Sequence, residues 1–266
     1  MSTRPASSEL WTDLAVELRK IPAFMRRDLL TSWSYRVGFF SDWLSIGTQL
    51  LVFYFIDRLV APQNLPLFGG RAVSYIEFVA VGLVVASFIQ VALGRVMAVM
   101  REEQLMGTLE ALLTTPTATA TIQLGSAAYD LIYVPFRSFV FLVLVSSLLG
   151  VSFHIAGFLP VIAILLAFIP FAWGIGVIGA AAVLTFRRSG GAVGIGVSLL
   201  TIAGGAYFPI EVLPSALQGA ASLNPIAIAM TGTRDALLGG AGWREIVPDV
   251  LALIPSSIIS LTLGMI

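Results

Sequence analysis

The sequence has no cysteine and only one histidine, His154. Disulfides and thiolate metal sites are therefore excluded, and so is a metal site built from several histidines. It has one lysine, Lys20, with no Gly-x-x-x-x-Gly-Lys before it, so the chain lacks the phosphate-binding loop of a nucleotide hydrolase. Charge is scarce, at 11% of residues with a net of zero, and nothing in it suggests nucleic acid as a partner. Soluble domains carry roughly a quarter charged residues. No cleavable signal peptide is visible, because the first apolar run begins only near Phe39, after a long charged segment.

What is present is oil. Hydrophobic residues make up 58% of the 266, with a mean hydropathy of +0.94. That composition is an all-α polytopic membrane protein, since only helices satisfy their own backbone groups in lipid at this length and pattern. Six runs are long enough to cross: 37–59, 74–99, 127–152, 155–185, 191–211 and 246–266. Pro160 suits the start of the fourth, and Pro170 suits a kink within it.

Basic residues orient these spans. Arg4, Arg19, Lys20, Arg26, Arg27 and Arg36 precede the first, Arg95 and Arg101 flank the loop after the second, and Arg187 and Arg188 follow the fourth. Only Arg58, Arg71, Arg234 and Arg244 fall on the other side. The N-terminus is thus expected in the cytoplasm, and six spans return the C-terminus there. Residues 11–36 precede the first span. Trp11, Leu14, Ala15 and Leu18 recur at helical spacing with basic neighbours, as in a helix lying in the head-group layer against membrane lipid.

Residues 101–116 read REEQLMGTLEALLTTP and fall on the cytoplasmic side, between the second and third spans. Gly107 suits an N-cap, with Glu110 three positions on. Leu109, Leu112 and Leu113 form one apolar face, and Thr115–Pro116 ends the helix. Such a segment is either a solvated loop helix or a knob whose leucines anchor a soluble partner while its carboxylates orient it.

Further along, Pro214 and Pro225 divide residues 208–240 into two pieces too short to cross a bilayer, and Gly239–Gly240 ends the second. They read as re-entrant extracytoplasmic helices before the last span, tolerated where protein or a polar cavity covers their ends.

Charges also fall in or near the spans. Asp42, Asp57, Arg58 and Glu77 stand near span ends, with Asp57, Arg58 and Glu77 in reach of head groups. Asp130 and Arg137, seven residues apart, share a helix face about 10 Å apart along the axis. Arg137 lies deeper, which suits a polar path or a packing role. The runs Gly174–Ile–Gly176, Gly179–Ala182 and Gly194–Ile–Gly196 permit close helix approach.

Two stretches resemble the membrane subunits of ABC type-2 transporters. The first is Glu103 followed by Gly107–Thr108–Leu109–Glu110, then Leu113 and Thr115–Pro116. The second is Phe208–Pro209, Leu213–Pro214, Asn224–Pro225, Arg234 and Leu237-x-Gly239. The resemblance implies that Arg101, Glu102, Glu103, Gly107, Thr108, Leu109, Glu110, Leu113, Thr115 and Pro116 couple to a separate ABC ATPase subunit. It implies that Phe208, Pro209, Pro214, Pro225 and Arg234 cap the external end of the path. It also implies a homodimer in the cytoplasmic membrane, with ATP and Mg on the partner subunit and no cofactor or catalytic residue on this chain. Two features depart from the family pattern: Gly125–Ser126 replaces a lysine, and Ile266 stands where a basic tail often follows.

The implied function is an exporter of an amphiphile, a drug, a lipid or a lipid-linked glycan. The alternative is an ion-coupled transporter or channel, in which the intramembrane charges would be the coupling site. An intramembrane protease is disfavoured. Tyr129–Asp130 matches one half of an aspartyl pair, and the Gly-x-Gly-Asp half is missing.

Overall fold

The computed structural model describes residues 22, 25, 26, 29, 30, 36–60, 65–106, 119–185 and 190–265. Among these the fold is helical. In chain order the helices are α1 (Arg36–Asp57), α2 (Tyr75–Met106), α3 (Thr119–Leu149), α4 (Phe158–Thr185), α5 (Gly190–Ala203), α6 (Ser215–Ser222), α7 (Pro225–Leu237) and α8 (Trp243–Met265). Of the N-terminal segment, Pro22, Met25, Arg26, Leu29 and Leu30 are helical, and the remainder of 11–36 before α1 lies outside the described residues.

Among the described residues, four helices are long and apolar enough to cross a membrane, over Tyr75–Gly94, Ile132–Leu149, Ile155–Ala182 and Trp243–Gly264. They do not share one environment. The α2 span is almost wholly buried, whereas most of the α3 and α8 spans face outward. Ile132, Phe136, Phe139 and Val143 on α3, and Leu251, Ile258, Ile259 and Leu263 on α8, form exposed apolar surface. Patches of that size on the outside of a helical bundle belong in lipid.

The centre of the bundle is α4. It packs most extensively against α8 and then against α2 and α7. Phe78, Val79 and Ile89 of α2, Ile164 and Phe168 of α4, Met230 and Leu237 of α7, and Leu253 of α8 are fully buried between them.

The start of α2 is fixed by carboxylates. The Ser74 Oγ accepts from the Glu77 amide at 3.3 Å, and the Ser74 amide donates to Glu77 Oε2 at 2.8 Å, a reciprocal capping box. From the end of α1, Asp57 Oδ1 accepts the Ile76 amide at 2.9 Å. Glu77 also pairs with Arg71 at 3.3 Å and is only 7% exposed. Asp57 and Glu77 are therefore not head-group contacts, as their place near span ends suggests. They satisfy the orphan amides of the most buried helix. Arg58 does stay outside, stacked over the Tyr54 ring at 4.9 Å.

The fifth expected span, 191–211, does not form as one helix. α5 stops at Ala203, and Gly204–Gly205 turn the chain toward the buried Pro209. At 14 residues it is about 21 Å long, short of a hydrocarbon layer of about 30 Å. Apolar residues continue past the break, which is why hydropathy alone does not mark it.

Candidate functional site

One end of the bundle gathers the loops before α2, between α3 and α4, and between α7 and α8. Arg71 Nη1 donates to Ser152 Oγ at 3.3 Å, and the His154 amide donates to the Leu237 carbonyl at 2.8 Å. The expected external residues lie at this end.

Pro214 precedes α6, and Pro225 occupies the first turn of α7. Asn224 joins the two breaks. Its Oδ1 accepts from the Ile226 amide at 3.1 Å, capping α7. Its Nδ2 donates to the Leu200 carbonyl at 2.8 Å, in the last turn of α5. Although only 13 residues long, α7 is buried on most sides.

Arg234 is the polar centre of that burial, at 3% exposure. Its Nε donates to the Phe78 carbonyl at 3.1 Å, and its Nη2 donates to the Gly205 carbonyl at 2.8 Å and, more weakly, to the Ala206 carbonyl at 3.4 Å. The guanidinium lies 3.6 Å from the Phe78 ring centroid. One side chain on α7 thus ties down α2 and the carbonyls left bare where α5 stops. Gly82 makes room for it. A Cβ there would stand 2.5 Å from Arg234 Nη2 and 2.6 Å from the Ala206 oxygen. Burial pulls the guanidinium down to about 9, with Asp235 and Glu211 opposing the shift. It remains a cation at neutral pH. Beyond Tyr207, Phe208 and Pro209 follow the carbonyls it holds, and the Phe208 carbonyl and Arg234 both stand within 4 Å of a Cβ placed on Gly205, while Pro214 is exposed at the rim.

Next to it, Asp235 and Glu245 line a depression of about 150 Å³ bounded by Gly69 and Gly239. Burial raises the Asp235 carboxyl to about 6; the Asp249 and Glu245 carboxylates push the same way and Arg234 pushes against them. The folded state therefore favours the protonated acid. That stabilisation is complete below pH 4 and is lost as pH rises through about 6. Discounted for partial exposure, the difference is about 1–2 kcal/mol. Asp235→Asn is expected to raise the thermal midpoint at pH 7.5 and to change it little at pH 4. Equal shifts at both pH values would show that Asp235 does not titrate in this way.

The opposite end carries the other expected site. Arg101, Glu102 and Glu103 lie on the last turns of α2, and Gly107, Thr108, Leu109, Glu110, Leu113, Thr115 and Pro116 lie outside the described residues. Both flanking helices outrun their apolar spans. α2 continues past the run 74–99 to Met106, and α3 begins at Thr119, before the run 127–152. Each extension is about 10–12 Å. Phe78, which touches Arg234, and Arg101 are on the same helix about 35 Å apart, so the two expected sites do not meet.

Within the apolar zone, Arg137 lines a cleft with Gln49, Ser87 and Ser138. Sequence reasoning missed Gln49, Ser87 and Ser138, since only the register of three helices brings them to Arg137. Asp130 is on α3, and its side chain lies outside the described residues.

A family model described as ABC-2 type transporter matches residues 19–238. No curated protein matches the chain.

Proposed function

The chain belongs to the ABC-2 type transporter family and is a membrane permease; from that premise we propose that it is the transmembrane half of an ATP-driven exporter of amphiphiles. Permeases of this family generally pair with an ATP-binding subunit. The observation that carries the proposal is that α2 and α3, on either side of the Glu103–Pro116 motif, both run on past their apolar runs. Two helices that run past the apolar layer, joined in sequence by leucines and carboxylates, are suited to engage a groove on a soluble ATPase. ATP and Mg would be held by that partner.

In this reading α1 and the 191–211 run, broken after α5, complete six crossings, two copies form the path, and the N-terminus and the α2–α3 extensions face the cytoplasm. The segment from Phe208 to Gly240 closes the external end. Nucleotide-driven closure of the ATPase pair pushes on these extensions and shifts the membrane halves. The amphiphilic cargo follows from apolar walls interrupted by few polar groups.

Copurification tests the docking. Wild type is expected to retain an ATPase subunit in mild detergent, and Glu110→Arg and Leu113→Asp are each expected to lose it while remaining monodisperse. Retention of the subunit by both variants would reject the segment between α2 and α3 as its seat. It would favour the ion-coupled alternative, which has no use for such a segment.

A further inference from the structure

We propose that the cleft between α1, α2 and α3 binds the anionic head group of a membrane amphiphile, a phosphate or carboxylate carried on an apolar tail. The inference extends the exporter reading by naming the head-group chemistry, but head-group binding itself does not depend on ATP. The cleft has a volume of about 40 Å³ and is open on one side. Gln49 comes from α1, Ser87 from α2, and Arg137 and Ser138 from α3, with Val84 and Phe141 as apolar walls.

Depth makes this set unusual. Ser87 is twelve residues past Tyr75 at the start of α2, and Arg137 is twelve before Leu149 at the end of α3. Both are thus about 18 Å from the external helix ends, inside a hydrocarbon layer of about 30 Å. Charge at that depth is costly and marks ligand or ion sites more often than packing.

The donor set selects the ligand's sign. Ser87 Oγ donates to the Val84 carbonyl at 2.7 Å and lies 3.4 Å from Ser138 Oγ, so its proton is used within the protein. The donors that line the cleft are the Arg137 guanidinium and the Gln49 amide. A guanidinium has five N–H groups in a fork that fits phosphate or carboxylate, and it can serve more than one partner.

The cleft also borders a place for a tail. Arg137 sits between the packed side of α3 and its outward face of Ile132, Phe136 and Phe139, and Gln49 is on the exposed side of α1. A head group at Arg137 would leave its chain lying along that apolar face in the surrounding lipid.

The test uses the purified full chain in neutral detergent, with phosphatidylglycerol and phosphatidylcholine as probes and bound lipid counted by native mass spectrometry. Wild type is expected to prefer phosphatidylglycerol, and Arg137→Gln to lose about tenfold of that affinity while Arg137→Lys keeps most of it. Gln49→Leu, on an exposed face, is expected to lose about threefold and decides the matter if Arg137→Gln does not fold. Equal binding of the two lipids by wild type overturns the proposal. So does full phosphatidylglycerol affinity in folded Arg137→Gln, or in Gln49→Leu if that variant must decide. Adding the ATPase subunit and Mg-ATP then separates the sources. Release of the lipid identifies it as cargo and retention as a resident lipid, and either result upholds the head-group site. Lipid selectivity without ATPase copurification would reject the exporter and leave the site; the converse would reject the site and leave the exporter.

Discussion

Arg234→Met is expected to lower the thermal midpoint in detergent by about 10 °C, the result of losing about 3 kcal/mol in a chain of this size. The methionine fills a similar volume, so the loss is polar. The Gly205 and Ala206 carbonyls lie past the end of α5, outside the helical ladder, and Arg234 is their donor. Each acceptor left dry costs about 1–3 kcal/mol. The contact with the Phe78 ring goes too, worth up to about 2 kcal/mol when desolvated. Removing the arginine's own desolvation cost returns part of this, which is why the net stays near 3 rather than the sum. Arg234→Lys separates charge from geometry. A lysine retains the cation but lacks the planar fork that reaches α2 and the α5 break together, so an intermediate midpoint is expected. A folded Arg234→Met within about 2 °C of wild type would show that this end of the bundle is held by apolar packing alone.

The second large effect is expected at the opposite face of α4. A Cβ on Gly174 would stand 2.4 Å from the Ser260 carbonyl carbon and 2.7 Å from the Leu261 nitrogen. These are backbone atoms of α8, so no rotamer change relieves the clash. Gly264 approaches α4 in the same way, with its Cβ position 3.2 Å from the Gly174 oxygen. Between them, Ser257 Oγ donates to the Ala167 carbonyl at 2.7 Å. Gly174→Val therefore forces α8 outward by about 1 Å, breaks that bond and opens the most extensive helix pair among the described residues. A loss of about 3 kcal/mol is expected. Gly194→Val is the control, since nothing lies within 4 Å of that Cβ position, and its midpoint should match wild type. If Gly174→Val matches it as well, the α4–α8 approach is looser than described.

Much of this architecture is legible in the sequence because its signals are local. Long apolar runs mark α2, α3, α4 and α8, and Pro214, Pro225 and Gly239–Gly240 mark the divisions around α6 and α7. The serine and glutamate of the α2 capping box stand three residues apart, a signal that was present but reads equally well as head-group contact. What escapes is of two kinds. The early end of α5 lies inside an apolar run, where a hydropathy window averages across a glycine pair. The partners of Arg234 and Arg137 are distant in sequence: Phe78 is 156 residues from Arg234, and the Arg137 cleft needs three helices in register. Arg234 itself enters the reading only as a basic residue in the orientation argument and through its resemblance to a family motif. Nothing local predicts that its role is to hold carbonyls.

Three of the four apolar spans contain proline: Pro135 in α3, Pro170 in α4, and Pro248 and Pro255 in α8. α2 contains none over its 32 residues. Proline removes a ladder bond and softens a helix at that point. In the proposed exporter, α2 would serve as a push-rod and the other three spans as flexures. A displacement imposed near Arg101 would reach Phe78, and through it the Arg234 clasp, with little lost to bending. A chain without cysteine is well placed to reveal this, because any pair of introduced thiols is unique. Spin labels at the two ends of α2 would keep one separation throughout turnover, while a pair spanning Pro255 in α8 would report more than one.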